Sequence, residues 1–141
     1  MEKQHVLIVE DNIIEAQFIR QMIRQLGYGI QAITRSGDEA ILLTRHLDPD
    51  LVLLDLDLDQ GLDPLAVSRK IKARNSIPVI FTSNFIYKAN WPSVSGARHD
   101  GFLLKPFTIS ELEVVVGRVQ TTPTGAYRVK PDRSHLALRS A

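Results

Sequence analysis

Residues 51–59, LVLLDLDLD, join a short apolar run to a series of aspartates. The first four residues, Leu51 to Leu54, are all apolar, as expected of a strand that is covered on both faces. Similar runs occur at 5–9, 78–81 and 101–104, and a weaker one occurs at 29–34. The sequence therefore predicts a five-stranded parallel sheet with 29–34 at one edge.

Segments with helical periodicity separate these runs. From Ile13 to Leu26, apolar residues recur four apart, so we predict an amphipathic helix with one buried stripe formed by Ile14, Phe18, Met22 and Leu26. Capping and proline signals predict three further helices over 36–47, 63–74 and 108–119. Regular alternation of strands and helices is typical of an open, doubly wound α/β fold.

The stretch between the fourth and fifth strands is atypical. Asn84 and Asn90 favour turns and Pro92 interrupts a helix, so we expect a long loop over 84–96 with at most a short helix after Pro92. Four large apolar side chains in this stretch either form a docking or dimer surface or fold over the sheet: Phe85, Ile86, Tyr87 and Trp91.

Composition excludes several classes of protein. The 141 residues include no cysteine, and the four histidines are scattered, so neither a disulfide framework nor a zinc cluster is expected. No apolar run is long enough for a membrane span, and we expect a cytoplasmic protein without membrane contact. Residues 121–141 carry four basic residues against one acidic residue, without helical or strand periodicity, and are interpreted as a basic tail or linker after a domain at 1–120.

Chemically reactive side chains follow the predicted strands. Glu10 and Asp11 follow the first and Lys105 the fifth, and Asp55 directly follows the apolar run of the third. Because parallel strands bring their carboxyl ends to one edge of a sheet, these residues are expected to converge. Neighbouring carboxylates repel one another, and a hard cation such as Mg²⁺ offsets that repulsion. The additional ammonium group indicates that a phosphoryl group enters the same site.

Three motifs resemble those of one known family. VEDN at 9–12, LVLLD at 51–55 and LLKPF at 103–107 are similar, in order and separation, to the motifs of response regulator receiver domains. The resemblance covers about residues 4–120 and implies a flavodoxin-like sheet of order 2-1-3-4-5.

The resemblance also implies roles for individual residues. Asp55 would accept the phosphoryl group, and Mg²⁺ would be held by Glu10, Asp11, Asp55 and the main-chain carbonyl of Asp57. Ser83 would hydrogen-bond the phosphoryl group, although Thr82 is adjacent; spacing to Lys105 favours Ser83. Further implied features are an ion pair from Lys105 to the phosphoryl group, a cis peptide at Pro106 and a rotamer switch at Phe102. Asp59 and Asp63 are interpreted as solvated or capping residues.

The expected function is that of a single-domain response regulator, a phosphorylation-switched binding module and not an enzyme. Its implied partners are a histidine kinase or histidine phosphotransfer protein, a downstream protein, and a second copy of the chain in a homodimer. The alternative is a small haloacid-dehalogenase-like phosphatase, because Asp55 and Asp57 in DLDLD resemble its nucleophile and acid/base. Nucleic-acid binding through the tail is disfavoured because the sequence lacks a recognition helix. The basic residues of the tail are Arg128, Lys130, Arg133 and Arg139.

Overall fold

The computed structural model describes residues 3–74, 76–91 and 100–121. The strands are β1 (His5–Val9), β2 (Gly29–Thr34), β3 (Leu51–Asp55), β4 (Val79–Ser83) and β5 (Gly101–Leu104). The α-helices are α1 (Ile13–Gln25), α2 (Gly37–Leu47), α3 (Pro64–Arg74) and α4 (Ile109–Thr121), and a 3-10 helix spans Ile86–Asn90. The basic tail interpreted from the sequence lies outside the described residues.

All five strands form one parallel sheet in the order β2-β1-β3-β4-β5. The register pairs Val9 with Leu54, and Asp55 with Thr82. Ser83 is in turn the partner of Leu104. The last residues of neighbouring strands therefore lie side by side, which confirms the predicted fold and topology.

Alternate residues of the central strands face two separate apolar cores. One core includes Val6 and Ile8 of β1 and is covered by α1 and α4; the other includes Leu7 and Val9 and is covered by α2 and α3. Every residue of β3 and β4 is buried. The central strands are thus fixed on both faces, so their carboxyl ends are held rigidly at one edge.

The side chain of Asn12 accepts a hydrogen bond from the Glu15 backbone N–H and caps α1. Thr108 and Glu111 form the predicted reciprocal capping box at the start of α4. Gly27 follows α1 with φ 93, a conformation that favours glycine. The helices therefore begin and end close to the predicted residues.

The predicted buried stripe of α1 is wrong. Ile14 and Phe18 are 69% and 60% exposed, and the buried residues of this helix are Ala16, Ile19 and Ile23. Because each step of four residues turns about 40° around a helix, a stripe of such steps drifts across its surface. Only its far end, at Met22 and Leu26, packs against the core.

The stretch after β4 differs from the expected loop. A 3-10 helix spans Ile86–Asn90, where the prediction had only a loop. The short helix that the prediction allowed after Pro92 falls on residues 92–99, which lie outside the described part of the chain. The four apolar side chains of the stretch are 40–65% exposed, so they do not fold over the sheet. We call Phe85, Ile86, Tyr87 and Trp91 the apolar patch.

Within the described ranges, no helix combines the length and the apolar character that a transmembrane segment requires.

Candidate functional site

Three carboxylates meet at the carboxyl edge of the sheet. Glu10 and Asp11 directly follow β1, and Asp55 is the last residue of β3. Each offers an oxygen atom within 4.8 Å of those of the other two. Glu10 and Asp55 are each only 2% exposed. We call these three residues the carboxylate cluster; at this spacing their charges repel strongly and require an offsetting cation.

Lys105 supplies one such cation from the end of β5. Its Nζ lies 2.5 Å from Glu10 Oε1 and 3.3 Å from Asp55 Oδ2. A third carboxylate partner, Glu15 of α1, lies 2.7 Å from the same nitrogen. The lysine is buried and its following peptide, Lys105–Pro106, is cis, as the resemblance implied. One ammonium group therefore binds three carboxylates, which leaves the site with excess negative charge.

Ionisation of Glu10 is correspondingly disfavoured. Burial, together with a hydrogen bond and the charge of Asp55, raises the pKa of Glu10 to about 8, although Lys105 acts in the opposite direction. Burial by itself would lower the pKa of Lys105, but its bonds to Glu10 and Glu15 outweigh that effect and raise it. Below about pH 8, the protonated form of Glu10 is therefore favoured in the metal-free site.

The donors of the carboxylate cluster fit a hard divalent cation. Mg²⁺ prefers oxygen ligands and keeps several waters, and here three oxygen donors from two strand ends converge in a partly open site. The site is closed on one side by the loop after β3, where the Asp59 backbone N–H donates to Asp11 Oδ2 at 3.3 Å. Asp57 is the second residue of this loop, and its N–H donates to Asp55 Oδ1 at 2.9 Å.

The side chain of Asp57 points to the end of β4. Ser83 Oγ lies 3.0 and 3.2 Å from its two carboxylate oxygens, and the Asn84 N–H donates to Oδ2 at 2.7 Å. Lys88 Nζ of the 3-10 helix lies 2.6 Å from Oδ1. Burial works against ionisation, but the hydrogen bonds from Asn84, Lys88 and Ser83 lower the pKa of Asp57.

The other residues singled out in the sequence take different positions. Thr82 and Ser83 are both buried, and it is Ser83 whose hydroxyl faces the loop that carries Asp57. Phe102 of β5 is half-buried and packs against the core under α2 and α3. Asp63 accepts a hydrogen bond from Leu65 at the start of α3, and Asp59 is exposed, in line with their interpretation as capping and solvated residues.

Sequence reasoning missed Glu15 and Lys88. Glu15 is the acidic residue in the first turn of α1, which begins just after Glu10 and Asp11, and this position near the strand end could have identified it. Lys88 carries no such signal. Its partner Asp57 is 31 residues away in the chain, and the two meet only when the loop after β3 and the 3-10 helix have folded against each other.

Comparisons with known proteins agree with this geometry. A family profile described as the response regulator receiver domain matches residues 6–117. The polar-differentiation response regulator DivK of Brucella ovis is 32% identical over 106 residues, which are 74% of this chain and 85% of DivK. A receiver domain of a Desulfovibrio desulfuricans modulated diguanylate cyclase superposes with a TM-score of 0.76 at 26% identity, covering 84% of this chain and 94% of that one.

A third relative is the receiver domain of a Pseudomonas aeruginosa sensor histidine kinase, solved with a magnesium ion coordinated in its active-site cleft. It superposes with a TM-score of 0.73 at 28% identity and covers 83% of this chain and 97% of its own. The sheet order, the carboxylate cluster and the matched profile agree with one another. The chain therefore belongs to the response regulator receiver domain family of two-component signal transduction.

Proposed function

We propose that Asp55 accepts a phosphoryl group from a histidine kinase or histidine phosphotransfer protein in a Mg²⁺-dependent reaction. The observation that carries this proposal is the buried Asp55 carboxylate, which lies beside both Lys105 and the carboxylate cluster. Glu10, Asp11 and Asp55, with the main-chain carbonyl of Asp57, would hold the metal. The magnesium ion in the Pseudomonas relative supports the same assignment.

In the proposed reaction, a carboxylate oxygen of Asp55 attacks the phosphorus of a phosphohistidine. A phosphorus–oxygen bond forms, the phosphorus–nitrogen bond breaks, and the departing imidazole keeps the electron pair and takes a proton from water. A bound Mg²⁺ would offset the negative charge of the phosphoryl oxygens. Lys105 already lies 3.3 Å from Asp55 Oδ2 and would bind another of these oxygens.

The new charge on Asp55 would then act on β4 and β5. Ser83 would donate its hydroxyl proton to the phosphoryl group, and the side chain of Phe102 would change its packing in response. Such a switch needs a ligand or modification that favours one of two packings by a few kcal/mol, and one charge-assisted hydrogen bond contributes about 1.5–3 kcal/mol. The readout would be binding of a downstream protein or of a second copy of the chain.

The phosphatase alternative has less support. It requires Asp57 as a free acid/base, whereas the Asp57 carboxylate is bound by Ser83, Asn84 and Lys88. Self-dephosphorylation of Asp55 is part of the proposal, but turnover of phosphate esters is not.

The domain boundary near residue 120 and the role of the basic tail remain predictions.

Intact-mass measurement tests the proposed acceptor. The wild type incubated with Mg²⁺ and acetyl phosphate should gain one phosphoryl group, and Asp55→Asn should gain none. Labelling should be lost when the metal is chelated. Equal labelling of both proteins would remove Asp55 as the acceptor, and steady release of phosphate from a simple ester would favour the phosphatase.

A further inference from the structure

The Asp57 carboxylate is bound at the end of β4 by a group of donors that together form an anion-binding site. The donors are the hydroxyl of Ser83, the backbone N–H of Asn84 and the ammonium group of Lys88, at 3.0, 2.7 and 2.6 Å. The Asn84 side chain adds a longer contact of 3.3 Å from its Nδ2. Hydroxyl, amide and ammonium groups are also the donors that bind phosphoryl oxygens.

Ser83 cannot serve this carboxylate and a phosphoryl group together. A serine hydroxyl has a single proton to donate. Here its oxygen accepts a hydrogen bond from the Phe85 N–H at 3.0 Å, so the proton is directed to Asp57. For the Ser83 hydroxyl to donate instead to a phosphoryl group on Asp55, its hydrogen bond to Asp57 must therefore break.

We propose that Asp57 and Lys88 form a latch that holds Ser83 and Asn84 away from Asp55 in the unphosphorylated protein and must open for phosphorylation. The inference rests on the proposed function of Asp55. Lys88 is a positioning residue here, because its contact is with Asp57 and it reaches the reacting group only through that side chain. The pair is largely shielded from water, with side-chain exposures of 12% and 14%, so its attraction is weakly screened.

Lys88 also joins the latch to the apolar patch. Its ammonium nitrogen lies 5.1 Å from the centroid of the Phe85 ring and 4.7 Å from that of Trp91. Tyr87 packs between these two rings, with centroids 5.5 and 5.9 Å away. When the latch opens, Lys88 loses its anionic partner and its contacts with the aromatic rings change. Phosphorylation is thereby transmitted to the exposed patch.

The test compares initial rates of labelling by acetyl phosphate and Mg²⁺, measured by intact mass. Lys88→Met and Asp57→Asn should each label about tenfold faster than the wild type, the order expected for loss of one charge-assisted contact. The double variant should be no faster than either single one, since both remove the same pair. Lys88→Arg, which keeps the charge, should label close to the wild-type rate.

The sign of the Lys88→Met effect is decisive. Without a latch, removal of a cation near the site would slow the reaction of an anionic phosphodonor. A Lys88→Met rate equal to or below that of the wild type would therefore overturn the latch and leave Asp55 as the acceptor. The matched control is Lys72→Met, which breaks a similarly shielded ion pair with Asp100 at the opposite end of β4 and should not change the rate.

Emission of Trp91, the sole tryptophan, gives a second readout that does not depend on rates. Unlabelled Asp57→Asn, which releases Lys88 without removing it, and the phosphorylated wild type should show the same shift relative to the unlabelled wild type. An unchanged emission in Asp57→Asn, with its circular dichroism intact, would contradict the coupling to the apolar patch. If the wild type gained no more label than Asp55→Asn, the proposed acceptor itself would be wrong, and the emission of Asp57→Asn would still test the coupling between Asp57, Lys88 and Trp91.

Discussion

Magnesium binding to the carboxylate cluster should weaken steeply as the pH falls, because the metal and a proton compete for Glu10. Burial and the neighbouring Asp55 raise the pKa of Glu10 to about 8. Below that pH each bound ion must expel about one proton, so affinity falls about tenfold per pH unit. The dissociation constant should therefore rise about a hundredfold between about pH 7 and about pH 5.

Titration calorimetry at each pH measures this effect directly. Repeating the titration in buffers with different ionisation enthalpies gives the number of protons released, which should be close to one at about pH 7. The control is Glu10→Gln, which carries no titratable proton and should bind Mg²⁺ more weakly with a flatter pH profile. A dissociation constant that differs less than about twofold across this range, with no proton released, would refute the raised pKa.

The same shift determines how the metal-free protein responds to pH. A carboxyl group whose pKa is raised on folding binds its proton more tightly in the folded state. Its contribution to stability is fully present below its ordinary value of 4.5 and is lost as the pH rises through about 8. Mg²⁺ should therefore increase the melting temperature most at the alkaline end of this window.

Substitutions at Lys105, Gly101 and Asn12 test an ion pair, a packing contact and a helix cap by urea unfolding, the last two with matched controls. Lys105→Met should lower the free energy of unfolding by about 3 kcal/mol above about pH 8, because the carboxylate cluster is then charged. The loss should be smaller near about pH 6. An equal loss at the two pH values would contradict the ion-pair reasoning. Gly101→Ala would place a Cβ 2.9 Å from Val115 Cγ1 and should cost about 1–3 kcal/mol. At Gly117 an added Cβ would meet, beyond its own helix backbone, no atom of the described residues within 4 Å, so Gly117→Ala should stabilise α4 by about 0.5–1 kcal/mol. The opposite order would refute the packing described here. Asn12→Ala removes the cap of α1 and should cost about 1 kcal/mol. Asn12→Ser, which keeps a capping oxygen without adding charge beside the carboxylate cluster, should cost less. Equal losses in the two variants would show that the capping oxygen does not contribute to stability.

Local sequence patterns were sufficient for the sheet and for the convergence of the carboxylate cluster. Strands buried on both faces appear as continuous apolar runs, and parallel strands necessarily bring their last residues to one edge. The positions of Glu10 and Asp55 in the sequence therefore already place them at the same edge of the sheet. The α1 prediction failed because the direction of a helix face depends on what packs against it, and Ile19 and Ile23, not Ile14, meet the sheet.

What the sequence determined by itself is the order of elements, the strand ends and the residues that follow them, since these depend on neighbours in the chain. Only the tertiary structure revealed that Asp57 is held by Lys88 and that Lys105 is shared with Glu15. These contacts join residues 31 and 90 positions apart through loop conformations and side-chain rotamers. No periodicity encodes such pairs, because electrostatic attraction acts through space and is decided only when the surrounding core has fixed both partners.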